Sequence, residues 1–248
     1  MIKNISGTPA TNKKVCLLSI GATLFLSFLS ALSQAEVPCA DGVTALSVSS
    51  TAEALQLTNE LECSGAGDFE VEWSGEVVVT KTFAVSNGTS LKVTGSTFDG
   101  AVIDGGGAVQ LFVVDDGSQL ELDSVSVVGS FGPAVDASES QVTATDCTFS
   151  NNNSSSSFLA GAIDVYLGNL TIGGDTNFLE NQGSAISVWN ILNSFDRASI
   201  TGKTTFSDNS ADSRGGAIYA SYTAFTIDGE TSFINNRASV NGGDCTSQ

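Results

Sequence analysis

The chain predicts an all-β fold, a right-handed parallel β-helix with a short N-terminal capping helix, and three observations carry that prediction. Short alternating segments are punctuated by glycine and Asx turns, one unit recurs every 27 to 29 residues, and the composition suits strands and turns, with 26 Gly and only 15% charged residues in 248. At 41% hydrophobic residues the chain has enough apolar material to fill a long core.

Residues 1–35 read as a secretory leader. Lys13 and Lys14 precede an apolar run, Val15–Leu32, and Ser33-Gln34-Ala35 supplies small residues for cleavage after Ala35. A retained membrane anchor is the competing reading, but Ser19, Thr23, Ser27, Ser30 and Ser33 interrupt the run. No second apolar span follows, so the mature chain is expected not to span a membrane. Six basic residues then face all 27 acids, a charge of −21, which opposes nucleic acid and anionic membrane surfaces as partners. Such acidity also keeps a long β-structure soluble and discourages joining of its ends.

Residues 36–75 form the expected cap. Ser50 and Glu53 have capping-box spacing, and Ala54, Leu55, Leu57 and Leu61 make a helical apolar face over Ser50–Leu61. Cys39 and Cys63 bracket that helix as a disulfide staple would; Cys147 and Cys245, 98 residues apart in an array, need not meet. With no histidine and no CxxC pair, a structural zinc site is not expected, and no metal ligand or cofactor is assigned.

Residues 76–248 hold the repeats, six or seven coils by division. Strands are expected at Val77–Thr80, Ser90–Val93, Val109–Val114, Leu120–Leu122, Val125–Val128, Ala162–Tyr166, Ala185–Val188, Ala217–Ala220 and Phe225–Ile227. Asn87-Gly88, Asp99-Gly100, Asp104-Gly105, Asp116-Gly117 and Asp228-Gly229 mark turns. Phenylalanine followed three residues later by asparagine recurs at Phe149/Asn152, Phe178/Asn181, Phe206/Asn209 and Phe233/Asn236. Between these fall Ala160-Gly161-Ala162-Ile163, Gly183-Ser184-Ala185-Ile186 and Gly215-Gly216-Ala217-Ile218. A third element follows in register: Leu170-Thr171-Ile172-Gly173, Ser199-Ile200-Thr201-Gly202 and Thr226-Ile227-Asp228-Gly229. Coils stacked at about 4.8 Å would place the phenylalanines in one internal column and the asparagines in a ladder of amides. Gly132-Pro133-Ala134-Val135, 28 residues before Ile163 along the chain, continues the rhythm backwards, and Gly242-Gly243-Asp244 reads as the start of a coil not completed.

Phe206-Ser207-Asp208-Asn209 followed by Gly215-Gly216-Ala217-Ile218 resembles the repeat pair of the chlamydial polymorphic outer membrane proteins, by motif over 145–243 and by rhythm back to Glu76. The resemblance implies a surface-exposed or secreted passenger used in adhesion or recognition, with host, matrix or cell-wall proteins or polysaccharides as partners. The C-terminal membrane barrel of that family has no counterpart before Gln248, so anchoring is not carried over.

Catalytic chemistry finds little support, and no catalytic residue is assigned. Lyase chemistry needs carboxylates holding Ca²⁺ beside a base, whereas Asp115 and Asp116 are adjacent before Gly117, as in a turn, and Arg197, Lys203, Arg214 and Arg237 are scattered. The acids are too many to nominate a hydrolase pair, and without histidine a Ser-His triad is excluded. The inserted segment Asn190–Arg197 is the best place for a site. Trp189, Tyr219 and Tyr222 are the candidate carbohydrate-contacting aromatics, with packing against the fold as the alternative. Sequons place candidate glycans at Asn87, Asn152, Asn153 and Asn169, and Asn151–Ser157 reads as a protruding loop. The expectation is therefore an adhesive or structural protein. A carbohydrate-active enzyme is the first alternative and a Ca-dependent acidic matrix protein the second; carboxylates converging on one face would favour the enzyme, evenly spread acids the matrix protein.

Overall fold

The computed structural model describes residues 44–63, 65–96, 100–154, 159–191, 197–240, 242–243 and 245–247. The leader, its cleavage site, Cys39 and Asp99 lie outside them, as do parts of the Asn151–Ser157 and Asn190–Arg197 segments.

The chain is a parallel β-solenoid of about seven turns. Among the described residues, an eight-stranded first sheet runs from Thr44–Val48 to Ala224–Ile227, a seven-stranded second from Gly75–Val78 to Thr231–Ile234, and a seven-stranded third from Phe83–Val85 to Cys245–Ser247. A representative turn comprises Asn169–Gly173, Asp175–Leu179 and Ser184–Trp189, one strand per sheet. Every recorded pairing joins strands of neighbouring turns in parallel, so alternate side chains point into a core continuous along the axis.

The repeat elements take the places their chemistry demands. Phe149, Phe178, Phe206 and Phe233 stack with centroids 5.1, 4.8 and 5.2 Å apart and ring planes within 8° of parallel. Asn152 and Asn181 each donate Nδ2 to the next asparagine's Oδ1, at 3.0 and 2.9 Å, and Asn209 does so to Asn236 at 2.9 Å. The same Nδ2 groups donate to the carbonyls of Val127, Phe149 and Phe178, all at 3.0 Å. At the other end Ser130 N–H donates to Asn152 Oδ1, so the ladder begins where serine replaces asparagine. Small residues precede Ala-Ile because coils touch there: a Cβ on Gly161 would lie 2.5 Å from the Gln182 carbonyl oxygen. The third element shifts by one in its first copy. Ile172 sits on Ile200 and Ile200 on Ile227, so Gly174 rather than Gly173 corresponds to Gly202 and Gly229.

Two expectations about the N-terminal region are corrected. The solenoid does not begin at residue 76: Thr44–Val48 already pairs with Asp68–Trp73, and that strand with Ser90–Gly95. The helix α1, Thr51–Cys63, is inserted between the first two strands of the first sheet, where it buries Ala54, Leu57, Thr58, Leu61 and Cys63. Leu55 is instead exposed, and Thr58 takes the inward position because its hydroxyl can donate to the Ala54 carbonyl at 3.0 Å. The cap has the expected residues with a longer reach. Glu53 N–H faces Ser50 Oγ at 3.4 Å, while Glu53 Oε2 accepts from Ser49 N–H at 2.8 Å and from the Ser50 hydroxyl at 3.0 Å. These bonds, the Ser49 amide first, hold the Glu53 carboxyl below its ordinary range. Ser50→Ala is expected to cost about 1 kcal/mol, read as a lower urea midpoint with unchanged slope.

Candidate functional site

The third sheet presents a face on which acids and aromatics meet. Its register places Val113, Asp136, Asp164, Ser187 and Tyr219 in one outward column, and Ser138, Tyr166, Trp189 and Ser221 in the next. Asp115 extends that second column, its N–H donating to the Val85 carbonyl at 2.9 Å.

Tyr166 and Trp189 pack with ring centroids 4.7 Å apart and planes tilted by 44°. Trp189 is 42% and Tyr222 56% exposed, while Tyr219 is half-buried, so two of the three candidate aromatics stand in solvent. Tyr166 escaped the sequence reading, although aligning Ala162-Ile163-Asp164-Val165-Tyr166 with Ala185-Ile186-Ser187-Val188-Trp189 pairs it with Trp189 and Asp164 with Ser187.

Beside the aromatics lie Asp115, Asp136 and Asp164. Asp136 accepts from Gln110 Nε2 at 3.1 Å. Asp164 is only 2% exposed, and neither of its carboxyl oxygens nor the Ser187 hydroxyl completes a hydrogen bond. Burial, first, and the neighbouring charge of Asp136 push its carboxyl up to about 7; Ser187, the Ala160 backbone and the Trp189 indole pull the other way without being aligned into bonds. Burial likewise raises Asp115, helped by Asp116 and Asp136.

Asp115, Asp136 and Asp164 therefore share one face, the arrangement that favours an enzyme. Among the described residues no group of three or more His, Cys, Asp or Glu could hold a metal ion. The basic residues are dispersed: Arg197 opens a strand of the first sheet, Lys203 pairs with Asp175 on the second at 3.4 Å, Arg214 precedes Gly215, and Arg237 lies in a separate two-stranded ladder. Asp116 is in the turn expected of it, with φ 56° beside Gly117 at 72°.

The remaining candidates separate by burial. Asn152 is fully buried with its amide committed to the ladder, which removes it as a glycan acceptor. Asn87 and Asn153 are exposed, and Asn169 is half-buried with Oδ1 accepting from the Arg197 N–H at 2.9 Å. Cys147 is a buried free thiol, pushed up to about 11 chiefly by burial.

One family model matches, and it matches at the repeat. Residues 203–221 carry a Chlamydia polymorphic membrane protein repeat. With the solenoid around it, the chain fits a β-helix of the polymorphic membrane protein type. The matched segment spans Phe206 and Asn209, one step of stack and ladder, and Gly215-Gly216-Ala217-Ile218, the turn into the third sheet. No curated protein and no solved structure matches the chain. No helix among the described residues is long and apolar enough to cross a membrane.

Proposed function

We propose that this chain is a secreted or surface-exposed recognition protein that binds its ligand, without turnover, through the aromatic flank of the third sheet. The observation that carries the reading is exposed Trp189 packed against half-buried Tyr166 on an in-register sheet, with exposed Tyr222 at the adjoining corner. Large aromatic surface held on a fixed scaffold is costly to leave in water and binds with little loss of side-chain freedom. The leader over residues 1–35 and the membrane-protein repeat support the surface address. A Cys39–Cys63 staple suits that compartment, and Cys63, unlike Cys147, is not a free thiol.

The full secreted chain is to be measured against arrayed matrix proteins and polysaccharides, with and without Ca²⁺. Trp189→Ala is expected to weaken binding by about tenfold or more while leaving the urea midpoint nearly unchanged. Unaltered binding in that variant would remove the flank from the account.

The convergence of Asp115, Asp136 and Asp164 favours one second reading, a carbohydrate-active enzyme. The same array decides it, because new reducing or unsaturated ends would mark turnover.

A further inference from the structure

A surface hollow lies at the corner between the second and third sheets, opposite the edge that carries Trp189. Each asparagine of the ladder points inward, so the residues on either side of it point out. Before it comes a column that includes Asn151 and Glu180, both held at φ 55°. After it comes a column in which Phe131, Asn153 and Gln182 are bridged in parallel from coil to coil. Between the two columns runs a hollow of about 190 Å³, whose lining includes these five residues and Gly107.

Its floor is rigid. Phe131, Gly132, Asn153 and Gln182 donate their backbone N–H groups to Val109, Asn153, Ser130 and Asn152 at 2.6 to 3.0 Å, and the buried amide ladder lies directly beneath. Its walls are unusual for so acidic a chain. Asn153 and Gln182, bridged on successive coils, set two carboxamides about 4.8 Å apart, Asn151 adds a third from the other column, Glu180 is the one ionisable group among the described lining residues, and Phe131 is 54% exposed.

We infer that this groove is a binding site for one or two units of an uncharged polysaccharide, separate from the aromatic flank and not resting on it. A sugar hydroxyl both donates and accepts, which matches the stacked amides of Asn153 and Gln182, and the C–H face of a pyranose ring covers an exposed phenyl. The volume falls below the roughly 300–1,000 Å³ of sites that enclose drug-sized ligands, as suits a short stretch of polymer lying side-on. Uronates, sulfated glycans and phosphates are disfavoured: no cation is among the described residues of the lining, Glu180 repels anions, and the chain from residue 36 carries −21.

The test is titration of the full secreted chain with neutral, uronate-containing and sulfated oligosaccharides, comparing Phe131→Ala, Gln182→Ala and Trp189→Ala, together with mass spectrometry of Asn153. Binding of a neutral oligosaccharide that Phe131→Ala and Gln182→Ala each weaken about tenfold, at unchanged unfolding midpoint, is the expected result. Neutral binding lost only in Trp189→Ala would leave the flank standing and overturn the groove. So would preference for a charged glycan, absence of any neutral binding, or an N-linked glycan on Asn153, which would itself fill the hollow.

Discussion

Asp164→Asn stabilises the folded chain at pH 8 by about 4 kcal/mol and has almost no effect at pH 4. The ordinary carboxyl value near 3.8 is raised in the fold to about 7, above all by burial. Between those values the folded state keeps a proton that the unfolded state has released. The stability associated with Asp164 is thus fully present below about pH 4, falls by roughly 1.4 kcal/mol per pH unit, and is gone above pH 7. An amide has the same shape and never ionises, so the variant escapes the loss. Urea midpoints of both proteins at pH 4, 6 and 8 read the effect directly, and a difference that does not grow with pH would refute it. Tryptophan fluorescence offers a local readout: Trp73 is fully buried, whereas Trp189 shares the neighbourhood of Asp164 and is expected to report a transition near pH 7.

Asn181→Ala is the second large effect. Asn181 Oδ1 accepts from the Asn152 N–H at 3.2 Å and Nδ2 at 3.0 Å, while its own Nδ2 donates to Asn209 Oδ1 at 2.9 Å and the Phe149 carbonyl at 3.0 Å. Alanine leaves those four contacts unmade in a site with no access to water. At about 1 kcal/mol each the loss is about 4 kcal/mol, in the range reserved for broken buried networks. Because stability in a stacked array is a sum of coils and their interfaces, the damage should concentrate in the coils on either side. Hydrogen exchange is expected to rise first at Asn152, whose N–H loses the Asn181 Oδ1 acceptor, and at the flanking strands. A drop below about 1 kcal/mol would mean that water enters and replaces the ladder.

The C-terminal half was readable because its repeats are chemically loud. Phenylalanine and asparagine at a fixed separation can satisfy stacking and amide bonding only when identical residues superpose, so spacing alone implies stacked coils. In the N-terminal half the same inward column holds Ile103 and Val127 above Phe149, and aliphatic residues exchange freely at such positions. The pattern is silent there although the coil is the same. The first-sheet strands at Thr44–Val48 and Asp68–Trp73 were hidden for a related reason: α1 interrupts the period between them.

Fold class, the internal Phe and Asn columns, the capping serine and the acidic character of the chain therefore follow from sequence, since each depends on local pattern or composition. The site does not. Asp115, Asp136 and Asp164 lie 21 and 28 residues apart and acquire a common environment only when successive coils set their outward columns side by side. The same superposition buries Asp164, exposes Trp189, joins Tyr166 to it and opens the groove beside Phe131. Burial and proximity between coils are properties of the stack, and no single coil contains them.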